Sequence, residues 1–264
     1  MSTVEQNIKR WKENYKWTDA GEEWSSEWGG SSTQWFGTIL PRIYPFLPTG
    51  TILEIAPGYG RWTNYLKNYC EQLMIVDVAE NCIEACRHRF AAESKITCHV
   101  NDGKSLAMVP DNSVDFVFSF DSLVHAESDV IEAYLNQLAK KLKPTGFGFI
   151  HHSNIGSYPG HFSIAKRFPH SVTKRLTRLG ILDTPHWRAS SMTALSFERY
   201  CDRAGLQCVS QELVNWASKR LIDCLSVFTP KANGHQRSNV VIENPDFMTE
   251  AKKLRRLSNA LGHG

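Results

Sequence analysis

Short apolar runs alternate with amphipathic stretches over most of this chain. Residues 51–56, 72–78, 96–100, 114–120 and 147–152 are rich in β-branched and aromatic side chains and have the length of buried strands. Between them, residues 81–93 place Ile83, Cys86 and Phe90 at helical spacing, and residues 128–142 place Ile131, Tyr134, Leu135, Leu138 and Leu142 on one face. Residues 35–46 and 61–69 also read as helices, the first disturbed by Pro41. Strands alternating with helices at this spacing predict an α/β fold, a doubly wound and mostly parallel sheet with helices on both faces. The rhythm breaks over 153–190, which holds Gly156, Pro159, Gly160, Pro169 and Pro185. It resumes with a helix over 192–204 and strands over 206–213 and 221–229; residues 230–245 read as a polar linker and 247–261 as a basic helix.

The first strand runs straight into Pro57-Gly58-Tyr59-Gly60. Two glycines let the backbone turn tightly and approach a ligand with no Cβ in the way. A strand, a glycine turn and a helix start present free backbone N–H groups, an arrangement suited to a nucleotide-like ligand. The second strand ends at Asp77, about 20 residues on, where an acceptor for ribose hydroxyls is expected. The third ends in Asn101-Asp102-Gly103. The dinucleotide fingerprint would need a third small residue where Thr63 stands. Ligands of open α/β sheets bind beyond the carboxyl ends of the strands. That rule selects Phe120, Asp121, Ser122 and His125 after the fourth strand, and His151, His152, Ser153 and Asn154 at the fifth. His151 and His152 are adjacent, so in a strand they face opposite sides.

These residues resemble the motifs of class I S-adenosylmethionine-dependent methyltransferases. The first motif of that class, acidic-x-x-x-G-x-G, is matched by Glu54, Gly58 and Gly60; Asp77 matches the ribose acceptor, and Asp102 the acid beside the adenine amine. The resemblance spans roughly residues 39–227. It implies one domain with a seven-stranded, Rossmann-like sheet whose last strand is antiparallel. It implies S-adenosyl-L-methionine as cofactor, held by Glu54, Ala56, Gly58, Gly60, Asp77, Val78, Asp102, Gly103, Phe120 and Asp121. A narrower resemblance, to a branch acting on sugars, surface glycans and related small molecules, rests on Glu27-Trp28-Gly29-Gly30, His151-His152-Ser153-Asn154 and His186-Trp187-Arg188. It implies O-methylation of a polar small molecule such as a sugar or glycan end group, with Ser122, Asn154, His186, Trp187 and Arg188 on the substrate. N-methylation of a small amine or amide is the nearest alternative. A dinucleotide-dependent oxidoreductase and a non-catalytic cofactor-binding protein are alternatives of other classes.

The single domain divides into an aromatic N-terminal lid (1–38), a cofactor-binding half (39–152), an inserted basic substrate cap (153–190), the rest of the sheet (191–230), and the linker with its basic helix (231–264). Five of the eight tryptophans, Trp11, Trp17, Trp24, Trp28 and Trp35, lie near the start, too many aromatics for a disordered tail. They are core filler or a lid; the resemblance favours the lid, with Trp24 and Trp28 on the cofactor. Removing a hydroxyl proton calls for a base, and His125, His151 and His152 are the candidates.

Charge and cysteine content narrow the partners. Lys166, Arg167, Lys174, Arg175, Arg178 and Arg188 stand against Asp183 alone between 161 and 188, which suits either an anionic acceptor or a solvated face. A net charge of +3 is too small to imply nucleic acid. Seven cysteines without paired C-x-x-C spacing read as buried thiols of a reducing cytoplasm, and no metal site is expected. Residues 1–20 lack the apolar stretch of a leader, and no run is long enough to span a membrane.

Overall fold

The computed structural model describes residues 3–165, 187–216, 218–234 and 238–262. Its strands are β1 (Thr49–Ile55), β2 (Cys70–Asp77), β3 (Ile96–Val100), β4 (Val114–Ser119), β5 (Leu142–Ser153), β6 (Leu206–Val214), β7 (Asp223–Pro230) and β8 (Val240–Asn244). They form one sheet in the order β3-β2-β1-β4-β5-β7-β6-β8. The first five are mutually parallel, and β7 runs antiparallel to both β5 and β6. Among the described residues the sheet therefore has eight strands rather than seven. The added strand, β8, pairs in parallel with β6 inside the segment expected to be a linker. Val240, Val241 and Ile242 are all about half exposed there, so β8 is an edge strand without the one-sided burial that makes a strand legible.

Each face of the sheet carries a core. On one, the Ser128–Lys141 and Ala194–Ala204 helices set Leu135, Leu138, Phe197 and Cys201 against Leu53, Ile55, Val117 and Ile150. On the other, Trp28, Trp35, Ile39, Ile43 and Phe247 cover Ile52, Phe116, Phe118 and Phe149. Each such buried side chain contributes about 1.5–3 kcal/mol of hydrophobic free energy. Phe247 and Ala251 are both buried, so the C-terminal helix Phe247–Ala260 docks on its own domain.

Local chemistry sets the helix limits. Thr193 Oγ1 accepts from Ser196 N–H and the Ser196 hydroxyl returns a bond to the Thr193 backbone, so the helix starts at Ala194; Gly205, at φ 83°, ends it. Around Pro41 the expected single helix is three pieces, a π turn over Trp35–Ile39, an α turn over Leu40–Ile43 and a 3₁₀ turn over Tyr44–Phe46. After the glycine turn the helix shrinks to Thr63–Leu66 and a 3₁₀ turn, Lys67–Tyr69.

Strand order reverses between β1 and β4, and the crevice at that switch point is where ligands of such sheets bind. Both strands leave it through residues of left-handed conformation, Ala56 at φ 58° and Asp121 at φ 64°.

Candidate cofactor and acceptor site

A cleft opens beyond the carboxyl ends of β1, β2 and β4, enclosing about 1040 Å³ of space including its mouth. The glycine turn, Asp77, Val78, Gly103, Phe120, Asp121, Ser122 and His125 line it, as do Trp11, Trp17 and Trp24 from the N-terminal segment. The floor is cross-tied: the Ser122 hydroxyl donates to the Ala56 carbonyl at 2.7 Å, and the Ser119 hydroxyl to the Ile55 carbonyl at 2.8 Å.

Asp77 hangs from two backbone donors, Ala79 N–H at 2.8 Å and Gly58 N–H at 3.2 Å. Burial pushes its carboxyl up to about 6, against the pull of those donors. Extra donors, such as vicinal hydroxyls, would favour the carboxylate. The two glycines play different parts. A Cβ on Gly58 would lie 2.8 Å from the Trp17 ring, inside the cleft, whereas one on Gly60 would lie 2.5 Å from Phe90, in the core beneath it.

Other expected cofactor residues lie outside the cleft lining. Glu54 is buried below the turn, where it accepts from the Thr63 hydroxyl at 2.6 Å; burial pushes its carboxyl up to about 8. Asp102 is exposed, and its Oδ1 accepts from the N–H groups of Lys104 and Ser105, which spends the side chain on its own turn. Trp28 is core: its Nε1–H donates to the Thr38 hydroxyl at 2.9 Å and its ring packs on Trp216 and Phe247.

The histidines separate as adjacent strand residues must. His152 faces the helix side, stacked on Phe197 at 4.3 Å, with its two ring nitrogens near the Ser153 carbonyl and the Ser226 hydroxyl. His151 faces the other way, between Phe120 and Trp216, and its Nδ1 accepts the Asp121 backbone N–H at 3.1 Å. Only His125 of the three lines the cleft. Its Nδ1 lies 3.0 Å from the Trp187 carbonyl, which can only accept, so Nδ1 bears the proton and Nε2 keeps the lone pair. Burial, helped by the Arg188 charge, lowers its pKa to about 4, so the ring is neutral at physiological pH.

The expected substrate groups are otherwise engaged. Asn154 is buried, bonded to the Leu221 carbonyl, the Ser157 hydroxyl and Ala194 N–H. The Arg188 fork already holds Asp223, with Nε at 2.9 Å and Nη2 at 2.7 Å from its oxygens. Burial opposes both charges, yet each outweighs that cost for the other: the Asp223 carboxyl falls well below its usual range and the guanidinium rises. Trp187 is exposed, with the Arg10 guanidinium over its ring. His186 and the basic residues 166–178 lie outside the described residues.

Sequence reasoning missed Trp11, Trp17 and Arg61 as cleft residues and Asp223 behind them. The run of tryptophans was the available signal for the first two. Arg61, directly after the glycine turn, joins Asp121 at 3.1 Å to Ser25 of the N-terminal segment at 3.0 Å.

The lining of this cleft suits S-adenosylmethionine. Gly58 keeps the turn free of a Cβ where the Trp17 ring covers it, Asp77 faces the cleft, and Trp17 Nε1 is buried without a hydrogen-bond partner among the described residues. The fold and the cleft are similar to those of class I S-adenosylmethionine-dependent methyltransferases, and S-adenosylmethionine is the cofactor that this likeness supports. Residues 52–146 match the family model described as Methyltransferase domain. The chain is 30% identical over 118 residues to phosphoethanolamine N-methyltransferase 1 of Triticum aestivum, covering 43% of this chain and 24% of that one. It is 26% identical over 148 residues to phosphoethanolamine N-methyltransferase of Plasmodium falciparum, covering 52% and 54%. The chain thus spans about a quarter and about half the length of these two curated relatives. A solved S-adenosylmethionine-dependent methyltransferase from Clostridium acetobutylicum shares the fold at TM-score 0.51 and 13% identity, over 78% of this chain and 92% of that one. Among the described residues no helix is long and apolar enough to cross a membrane.

Proposed function

We propose that this chain methylates a hydroxyl of a polar small molecule, such as a sugar or glycan end group, with His125 taking the acceptor's proton. When bound, S-adenosylmethionine supplies an electrophilic methyl group. The chain's own residues enclose the cleft against water with Trp11, Trp17 and Trp24 and hold the acceptor near the base.

His125 carries the reading. A neutral imidazole in the cleft lining, its Nδ1–H tied to the Trp187 carbonyl, offers its Nε2 lone pair to a bound acceptor. A ring with a pKa of about 4 is a weak base. That suffices for an alcohol, whose oxygen becomes strongly acidic as it takes on a methyl group. It does not suffice for an ammonium, which holds its proton far more tightly. N-methylation is the second reading, favoured by the names of the two curated relatives. An anionic acceptor would need cations other than Arg188, whose fork is taken by Asp223.

The experiment is a methyl-transfer screen by mass shift, with sugars, sugar phosphates and uronic acids set against phosphoethanolamine and other small amines. A methyl ether formed by the native chain and lost in His125→Ala supports the proposal. Methylation confined to amines overturns it in favour of the second reading.

A further inference from the structure

We infer that His151 is a positioning residue: it holds the left-handed turn at Asp121 and through it the floor of the cofactor cleft. The inference rests on the methyltransferase reading and adds to it a residue that does not line the cleft.

Asp121 follows β4 at φ 64°, a conformation that costs an L residue free energy unless its surroundings impose it. Its backbone N–H donates to His151 Nδ1 at 3.1 Å, and its Oδ2 accepts from Arg61 Nη2 at 3.1 Å. His151 is itself fixed. It is fully buried, clamped between Phe120 at 4.9 Å and Trp216 at 5.1 Å, and its Nε2 lies 3.2 Å from Asp223 Oδ2, close but poorly aligned. Arg188 holds that same carboxylate by its fork. A continuous line of buried polar groups thus runs from Arg188 and Asp223 through His151 and Asp121 to Arg61 and Ser25.

Burying so many ionisable groups gives no stability that well-packed apolar residues of equal volume would not give. A leucine or phenylalanine at position 151 would fill the aromatic clamp. Neither would accept the Asp121 N–H, whose loss leaves a donor unsatisfied next to a strained turn. The conformation of residue 121, one of the cleft's own residues, is therefore what the imidazole supplies.

The test measures S-adenosylmethionine affinity by calorimetry, and thermal midpoint without ligand, for the native chain, His151→Asn and His151→Leu. The asparagine Oδ1 takes the place of the imidazole Nδ1, one bond beyond Cγ, and accepts from Asp121 N–H; leucine cannot. The expected result is affinity near native in His151→Asn and weakened about tenfold in His151→Leu, whatever their midpoints. If His151→Leu does not fold, His151→Gln, whose amide sits at the Nε2 position on the Asp223 side, makes the same comparison. Equal affinity in all folded variants overturns the inference and leaves the methyltransferase reading standing. A native chain that does not bind S-adenosylmethionine overturns both.

Discussion

Trp17 lies flat on Tyr59, ring centroids 4.5 Å apart and planes 13° from parallel, so the N-terminal segment stacks directly on the glycine turn. Trp17 also borders Gly58 and Gly21, and Trp11 reaches His125 at 5.5 Å. By contrast Trp28 is 1% exposed and belongs to the hydrophobic core. Two truncations should therefore behave differently. Removing residues 1–18 should leave a cooperatively folded chain that binds S-adenosylmethionine about tenfold or more weakly, because the wall of the cleft is gone. Removing residues 1–30 should lower the thermal midpoint steeply, since deleting a buried tryptophan costs about 3–5 kcal/mol. Calorimetry on the first and thermal unfolding of the second read the two effects. Unchanged affinity after the shorter truncation would show that the segment is packing alone.

The two glycines should also part company. Gly58→Val intrudes on the cleft and forces a β-branched residue to φ 57°, so cofactor binding should be lost. Gly60→Val meets Phe90 and Cys86 in the core, at φ 82°. Its expected effect is a destabilisation of roughly 1–3 kcal/mol, from overpacking and backbone strain. Urea unfolding beside cofactor titration separates them, and the reverse assignment would refute the geometry.

What the chain revealed before folding follows its periodicities. The buried parallel strands were legible because both faces are apolar, and Asp77 and Gly58 because a glycine turn needs its backbone conformation and its strand order. Edge strand β8 was not, because its three apolar residues are not buried. Asp102 and Arg188 show a different limit. Their side chains satisfy neighbours, two backbone N–H groups and a buried carboxylate, that motif spacing does not name. The line from Asp223 to Arg61 joins residues 162 positions apart, beyond the reach of any local pattern.

His125→Ala should lower turnover about 10²–10⁴-fold on an identified hydroxyl acceptor, with S-adenosylmethionine affinity little changed. The pH dependence follows from the direction of its shift. With the ring deprotonated above about 4, the base is available through neutral pH and is lost only as the pH falls to that value. A rate profile with an acid limb that is shared by His125→Ala would assign the limb to another group.

Glu54 makes the stability of the fold depend on pH. Its carboxyl, 1% exposed, is raised from 4.5 to about 8, chiefly by burial, with the Thr63 bond pulling the other way and Asp77 adding to the rise. Between those two values the folded chain keeps a proton that the unfolded chain has released. Where the native state binds more protons, stability falls as pH rises. Its contribution to stability should therefore decline from about pH 4.5 to about pH 8 and level off above, by an amount on the order of a few kcal/mol. Asp77, raised to about 6, adds to the lower part of that decline, whereas His125 and His152, both lowered to about 4, oppose it between there and their ordinary 6.5. The window from 6.5 to 8 is left to Glu54 among these four. Glu54→Gln keeps an acceptor for the Thr63 hydroxyl and has nothing to titrate, so its thermal midpoint should be flat across that window while the native midpoint falls. Parallel midpoint curves for the two proteins would mean that the buried carboxyl is already ionised, and that Glu54 contributes charge rather than a proton beneath the glycine turn.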